Sequence, residues 1–211
     1  EAVRQRLKLS FGVGLKLNSA DFQRGGFEFE DARQVLEWLN GHGLDFVELS
    51  GGSYESPAMQ GNPQEGSTPS SSTAARETYF IDFARQIAKV AYMPIMVTGG
   101  ITKMEVAEAA LAKDETGFGV QLLGIARALA SDPDLPKHWG EGTNANVSLP
   151  QAGFKDATLN GLATMALTKQ QLEKMAKNKP PGDGGSAVIA LVADQYRAAK
   201  RAKGYRKWRA N

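Results

Sequence analysis

Short apolar runs alternate with stretches in which apolar residues return every three or four positions. FGVGLKL (11–17) and DFVELSGG (45–52) read as strands, nearly all apolar, as parallel strands buried on both faces are. Between them Ala32, Val35, Leu36 and Leu39 share one face of a helix predicted over 30–42. A Gly-, Pro- and Ser-rich stretch, SYESPAMQGNPQEGSTPSSST, then predicts a long surface loop, closing on a helix in AARETYFIDFARQIAKVA. MPIMVTGG predicts a third strand that ends on two glycines and enters a helix, from about Thr102 to Lys113, with no linker. GFGVQLLGIARALASDPDLP (117–136) predicts a fourth strand, to about Gly124, and a short helix stopped by Pro133.

Strand, small-residue turn and amphipathic helix thus recur four times, the grammar of parallel βα units. After Trp139 the grammar changes. A polar segment precedes two predicted helices, roughly 156–177 and 186–201, separated by the breaker KPPGDGG. The expected organisation is a βα part over 1–139 and a helical extension over 140–211 that packs on it.

A closed (β/α)8 barrel needs eight units in about 250 residues, and only four are present here. The chain also opens without Met on EAVRQRL, which reads as the last turns of a helix, so the first four units are expected to lie outside it.

Composition narrows the classes. Of 211 residues, 42% are hydrophobic and 23% charged, as in a globular protein able to bury a core. No apolar stretch reaches the ~18 residues of a membrane span, and no signal peptide is legible, so a cytoplasmic protein without a membrane partner is expected. There are no cysteines, which removes disulfide and thiol chemistry. Net charge is +2, but six cations crowd into KRAKGYRKWR (200–209) with Tyr205 and Trp208 among them. That pattern fits either a nucleic-acid patch or a solvated helix with two anchoring aromatics; the second is expected.

Two turns have the form of anion sites, where backbone N–H groups at a strand–helix junction meet a phosphate and glycine permits close approach. One is Thr98-Gly99-Gly100. The other is Gly124-Ile125-Ala126-Arg127, where an arginine adds a forked cation. Their place on the third and fourth units matches the phosphate sites that barrels build after strands seven and eight. Lys16, at the end of an apolar strand, either faces a polar cavity or ligand or reaches past the strand to water. Glu48, on the neighbouring strand, is its candidate partner. His42 and His138 have no acid or nucleophile close in sequence, Ser50 and Ser53 show no activating base, and no metal-ligand spacing is present.

VGLKLNSADFQRGGF, DFVELSGGSYE, ARETYFIDFA, MPIMVTGGI and LLGIARALASDPDLP, in this order, resemble the C-terminal half of the old yellow enzyme family, the NADH:flavin oxidoreductases. The likeness covers residues 1 to about 140 and continues loosely to RAKGYRKW. It implies an α/β fold comprising strands five to eight of a (β/α)8 barrel, with FMN at the C-terminal rim and NADH or NADPH as reductant for an activated alkene. By position, Lys16 matches the cation beside the flavin N1 and C2 carbonyl. Gly99 and Gly100 match backbone donors to the FMN phosphate, and Ala126 and Arg127 match a Gly-Arg pair after strand eight. The histidine pair, or histidine and asparagine, that hold the substrate carbonyl in the family, and the tyrosine that commonly donates the proton, come from strands one to four, so no catalytic residue is expected in this chain. The expected partner is the N-terminal half of the barrel or a second copy. A different reading of the same residues is a half-barrel binding module for a phosphorylated ligand.

Overall fold

The computed structural model describes residues 1–20, 25–50, 81–143, 145–182 and 185–210. The Gly51-Gly52 pair, Ser53, the long loop and the first part of the helix expected from residue 74 lie outside the described residues. The chain divides into two compact units, Glu1–Ile125 and Ala126–Asn211.

The first unit is α/β. Strands β1 (Gly14–Asn18), β2 (Phe46–Ser50), β3 (Ile95–Thr98) and β4 (Leu122–Gly124) form one parallel sheet in the order β1-β2-β3-β4. Chain order equals spatial order, as half of a (β/α)8 barrel requires. Helix α1 (Phe29–Leu39), the helical residues 81–88 (α2) and α3 (Met104–Leu111) lie between the strands in sequence.

Register sorts the side chains. Leu15, Leu17, Val47, Leu49, Ile95 and Val97 alternate with Lys16, Asn18, Phe46, Glu48, Met96 and Thr98, so the two sets stand on opposite faces of the pleat. Val47, Leu49, Ile95 and Val97 are buried, together with Ala32 and Leu36 of α1, Phe83, Ala84 and Ile87 of α2, and Ala107 and Ala110 of α3. The opposite face is less covered, and Leu122 on it is 41% exposed.

The helices are tied side by side. The Phe29 and Phe83 rings meet edge to face at 4.9 Å. The Asn40 amide donates to Val90 O (2.8 Å) and accepts from Tyr92 N (2.9 Å), and Arg85 donates to Ala109 O (2.6 Å). Helix α1 starts on a reciprocal capping box between Glu28 and Asp31, and it ends before Gly41 (φ 86°) and Gly43 (φ 69°).

Several boundaries differ from expectation. The opening EAVRQRL holds one 3-10 turn, Arg4–Arg6, and no longer helix. Arg4 bonds Gly43 O and Asp45, while Asp45 also accepts from Val13 N (2.6 Å), which anchors the chain just before β1. β1 therefore begins at Gly14, with Phe11 left exposed. Helix α3 is shorter than 102–113 because Lys103 and Ala112 are extended. Beyond it, Asp114 closes a tight turn by accepting from Thr116 N, Thr116 Oγ1 and Phe118 N.

The second unit holds α4 (Arg127–Ser131), α5 (Leu135–Gly140), α6 (Ala157–Met175) and α7 (Ala187–Arg209). Helix α5 has no counterpart in the sequence reading, where Pro133 and Pro136 masked its six residues. Asp156 caps α6 through Leu159 N, and Ser186 caps α7 through Ile189 N. Ala166, Leu167 and Ala190 form the buried contact between the two helices. Ion pairs join Lys169 to Asp194 (2.7 Å) and Glu173 to Arg197 (2.8 Å). These positions rise together, so α7 runs in the direction of α6 and the connecting segment doubles back. Buried Gln171 holds that return by bonding both Gly182 N and Gly182 O at 3.0 Å. Helix α7 continues well past residue 201, through Gly204 to Arg209, and the cations of its last turn, Arg206, Lys207 and Arg209, suit its C-terminal dipole.

Packing at the sheet edge is tight. A Cβ on Gly124 would stand 1.7 Å from Thr98 Oγ1 and 2.7 Å from Thr98 Cβ, whereas one on Gly14 would meet only the far end of the Phe46 ring, 2.3 Å away. Gly124→Ala is therefore expected to cost about 1–3 kcal/mol and Gly14→Ala less, since the ring can swing; urea midpoints of the two variants check the order. The Thr116 hydroxyl, the Lys89 ammonium at 3.0 Å and the Phe118 and Thr116 N–H groups hold the Asp114 carboxyl far below its ordinary value. The resulting stabilisation is complete above the unfolded-state value, about pH 4, and is lost as pH falls through the lowered native value. The stability gap between wild type and Asp114→Asn, followed by denaturation from pH 7 downward, should stay constant to about pH 4 and then close.

Candidate functional site

A lysine on a strand otherwise built of Gly, Leu and Asn needs a reason for its charge. The parallel register supplies one. Lys16 stands opposite Glu48, Glu48 opposite Met96 and Met96 opposite Leu122, so the four share one row across the sheet. Lys16 Nζ donates to Glu48 Oε1 in a direct ion pair. The lysine side chain is 55% exposed and the glutamate 21%. Glu48 is held between Val47 and Leu49, both buried. The carboxylate is therefore the fixed member of the pair and the lysine, with four rotatable bonds, the adaptable one.

The same face continues to the C-terminal edge of the sheet, where Asn18 is opposite Ser50 and Thr98 opposite Gly124. Thr98 Oγ1 is buried and has no hydrogen-bond partner among the described residues, and the same holds of Ser19 Oγ, one residue past β1. A buried hydroxyl without a partner costs about 1–3 kcal/mol.

Gly99 and Gly100 follow Thr98 directly, with φ 133° and 69°. Neither is at a helix N-terminus. Residues 99–103 form a linker, Ile101 within it turns into the core at 6% exposure, and α3 starts only at Met104. The glycine pair is thus required by a left-handed backbone path at the end of β3, and the expected direct strand-to-helix junction is absent. The reason is that the chain must bury Ile101 before it can turn.

Ala126 and Arg127 open the second unit. Ala126 is the N-cap of α4 at φ −122°, a negative angle that does not call for glycine. Arg127 is the first residue of α4, and burial pushes its guanidinium below the ordinary value.

Each histidine stands beside one acidic side chain. His42 Nδ1 lies 3.6 Å from Glu1 on the surface. His138 Nδ1 is 3.0 Å from Asp132 Oδ2, an acid six residues upstream that the Asp-Pro-Asp turn brings back. The sequence reading missed this pair because the contact depends on that turn. Asp132 Oδ1 is used by Asp134 N at 3.1 Å, so the carboxylate serves the turn. No cluster of metal-ligating residues occurs among the described residues, and no helix of the described residues is long and apolar enough to cross a membrane.

Comparison with known proteins decides the family likeness. No family model matches the chain. An NADH-dependent flavin oxidoreductase, iliE of Hypocrea jecorina (strain QM6a), is 38% identical over 137 residues, which is 64% of this chain and 33% of that protein. The chain is homologous to NADH-dependent flavin oxidoreductases. The NADH-dependent flavin oxidoreductase nadA of Aspergillus parasiticus is 28% identical over 196 residues, covering 91% of this chain and 40% of the relative. An NADH oxidase of Thermoanaerobacter brockii is 27% identical over 69% of the chain and 20% of its own length. The chain therefore spans about a third of iliE and less than half of nadA. This homology accords with four βα units in place of eight.

The two glycines carry different backbone demands. Gly100 at φ 69° is in the left-handed helical region, which alanine reaches at modest cost, while φ 133° at Gly99 lies where side chains scarcely go. Gly99→Ala is expected to destabilise by about 1–3 kcal/mol and Gly100→Ala by about 1 kcal/mol, an order that guanidinium unfolding of the two variants checks.

Proposed function

We propose that the chain is the C-terminal portion, strands five to eight and a helical extension, of an FMN-dependent NAD(P)H oxidoreductase that reduces an activated alkene or similar acceptor. The observation that carries the reading is the 38% identity to a flavin oxidoreductase, confined to a third of its length, in a chain whose four strands run in barrel order. In functional terms residues 1–139 form the half-barrel and 140–211 the extension, a division drawn by the βα pattern.

The residues present fit a phosphate-bearing flavin. Their face offers an adaptable cation, Lys16, the buried Thr98 hydroxyl, without a partner among the described residues, and at the end of β3 a glycine pair with no Cβ to obstruct a ligand. When bound, FMN supplies the hydride acceptor between the nicotinamide and the substrate. Lys16 then places positive charge where the flavin ring gains electrons, and so favours its reduction. Gly99 and Gly100 would offer a phosphate their backbone N–H groups, and by the family likeness Ala126 N–H and the Arg127 guanidinium are proposed for the same ligand. The substrate clamp and the proton donor belong to the other half of the barrel, so this chain alone is expected to be inactive.

The sheet itself supports a partner. Among the described residues it ends at β1 and β4, with one face of mixed character, Lys16, Glu48, Met96 and Leu122, that described helices do not bury as they bury the other. Open strand edges and such a face call for cover. Four preceding βα units supply it in the favoured reading; a second copy supplies it in a self-paired half-barrel that binds a phosphorylated ligand.

Purification of the 211 residues, alone and joined to the polypeptide encoded upstream, tests this. The joined form is expected to carry FMN and to reduce an enone with NADH or NADPH, and Lys16→Met in it to slow flavin reduction about 10²-fold. The chain alone should do neither. Flavin and enone turnover by the chain alone would remove the need for another half, and a joined form that takes no flavin would end the oxidoreductase reading.

A further inference from the structure

Glu48 has no part in the flavin contacts proposed above, yet the structure gives it a specific place. It lies in the middle of the sheet, on β2, with both sequence neighbours buried, and its register neighbour on β3, Met96, is uncharged. Its register neighbour on β1 is Lys16, and the two are in direct contact. A carboxylate on this partly covered face is costly unless it meets a cation. A lysine on the first strand, more than half exposed, would otherwise sample many rotamers.

We propose that Glu48 is a positioning residue for Lys16: it holds the ammonium over the inner row of the sheet and moderates the positive charge that Lys16 presents to a bound flavin. The holding follows from geometry, since a core-anchored acid fixes a flexible cation at the one place where their strands are in register. The moderation follows from charge. An anion developing beside Lys16 meets a pair of net charge zero, and the carboxylate opposes it. Glu48 thereby sets the reduction potential lower than an unpaired lysine would. The moderation rests on the flavin reading of the site; the holding does not.

Two measurements separate these claims. In the 211-residue chain, acylation of Lys16 is followed by peptide mass spectrometry against exposed Lys8 as internal standard. Glu48→Ala should label Lys16 about threefold faster than wild type, within the range that loss of a surface ion pair gives, and Glu48→Asp should restore protection. Equal labelling in wild type and Glu48→Ala overturns the holding. In the flavin-loaded full-length protein, Glu48→Gln keeps the hydrogen-bond acceptor and removes the charge. It should tighten the hold on reduced relative to oxidised flavin about tenfold, a rise of about 30 mV for a two-electron couple. A merely structural Glu48 would leave the potential where it is, and an unchanged or lowered potential overturns the moderation. A wild-type protein that retains no flavin overturns the moderation and the proposed function together, while the labelling result still decides the holding.

Discussion

The parallel register of four strands is the constraint from which the rest of this molecule follows. Side chains on a strand alternate faces with period two, and parallel pairing puts residues of equal phase into rows across the sheet. One phase carries Val47, Leu49, Ile95 and Val97 into the core. The other phase then has no choice but to carry Lys16, Glu48, Met96 and Leu122 to the opposite face. A slip of one residue would bury an ion pair among leucines, so the apolar face enforces the position of the charged one.

That division of faces also explains why the C-terminal rim is polar. Asn18, Ser50 and Thr98 share the phase of Lys16 and end their strands in line. Gly124 is beside Thr98 because no side chain fits there, and the glycine pair after Thr98 turns the chain through positive φ angles, of which that at Gly99 is nearly closed to other residues. The rim is thus assembled from strand ends that the core holds rigid, which is the arrangement a barrel enzyme uses to place chemistry on a stable support.

Much of the first unit was legible because its signals are local. The three helices expected in this unit, and all four strands, are seen in whole or in part within the described residues, and the core face of α1 falls on Ala32 and Leu36 as periodicity required. Local signals failed where ends depend on distant partners. β1 starts late because Arg4 and Val13 are tied to Asp45 across the unit, and α3 starts late because Ile101 is drawn into the core. Helix α5 was hidden by two prolines that a longer helix would not tolerate but a six-residue one beginning at Leu135-Pro136 does. The His138–Asp132 pair was illegible for a related reason, since six residues of separation bring side chains together only through a turn.

By itself the sequence determined the α/β class, the four-unit count, the family likeness and the residue types at the rim, because periodicity, composition and motif order are written locally along the chain. Only the tertiary structure decided that Lys16 meets Glu48, that Thr98 and Ser19 are left without partners among the described residues, and that Gly99 and Gly100 serve a left-handed path ahead of the helix. The physical reason is that pairing, burial and backbone strain are properties of neighbours in space. Strand register chose those neighbours, from residues more than thirty positions apart in the case of Lys16 and Glu48.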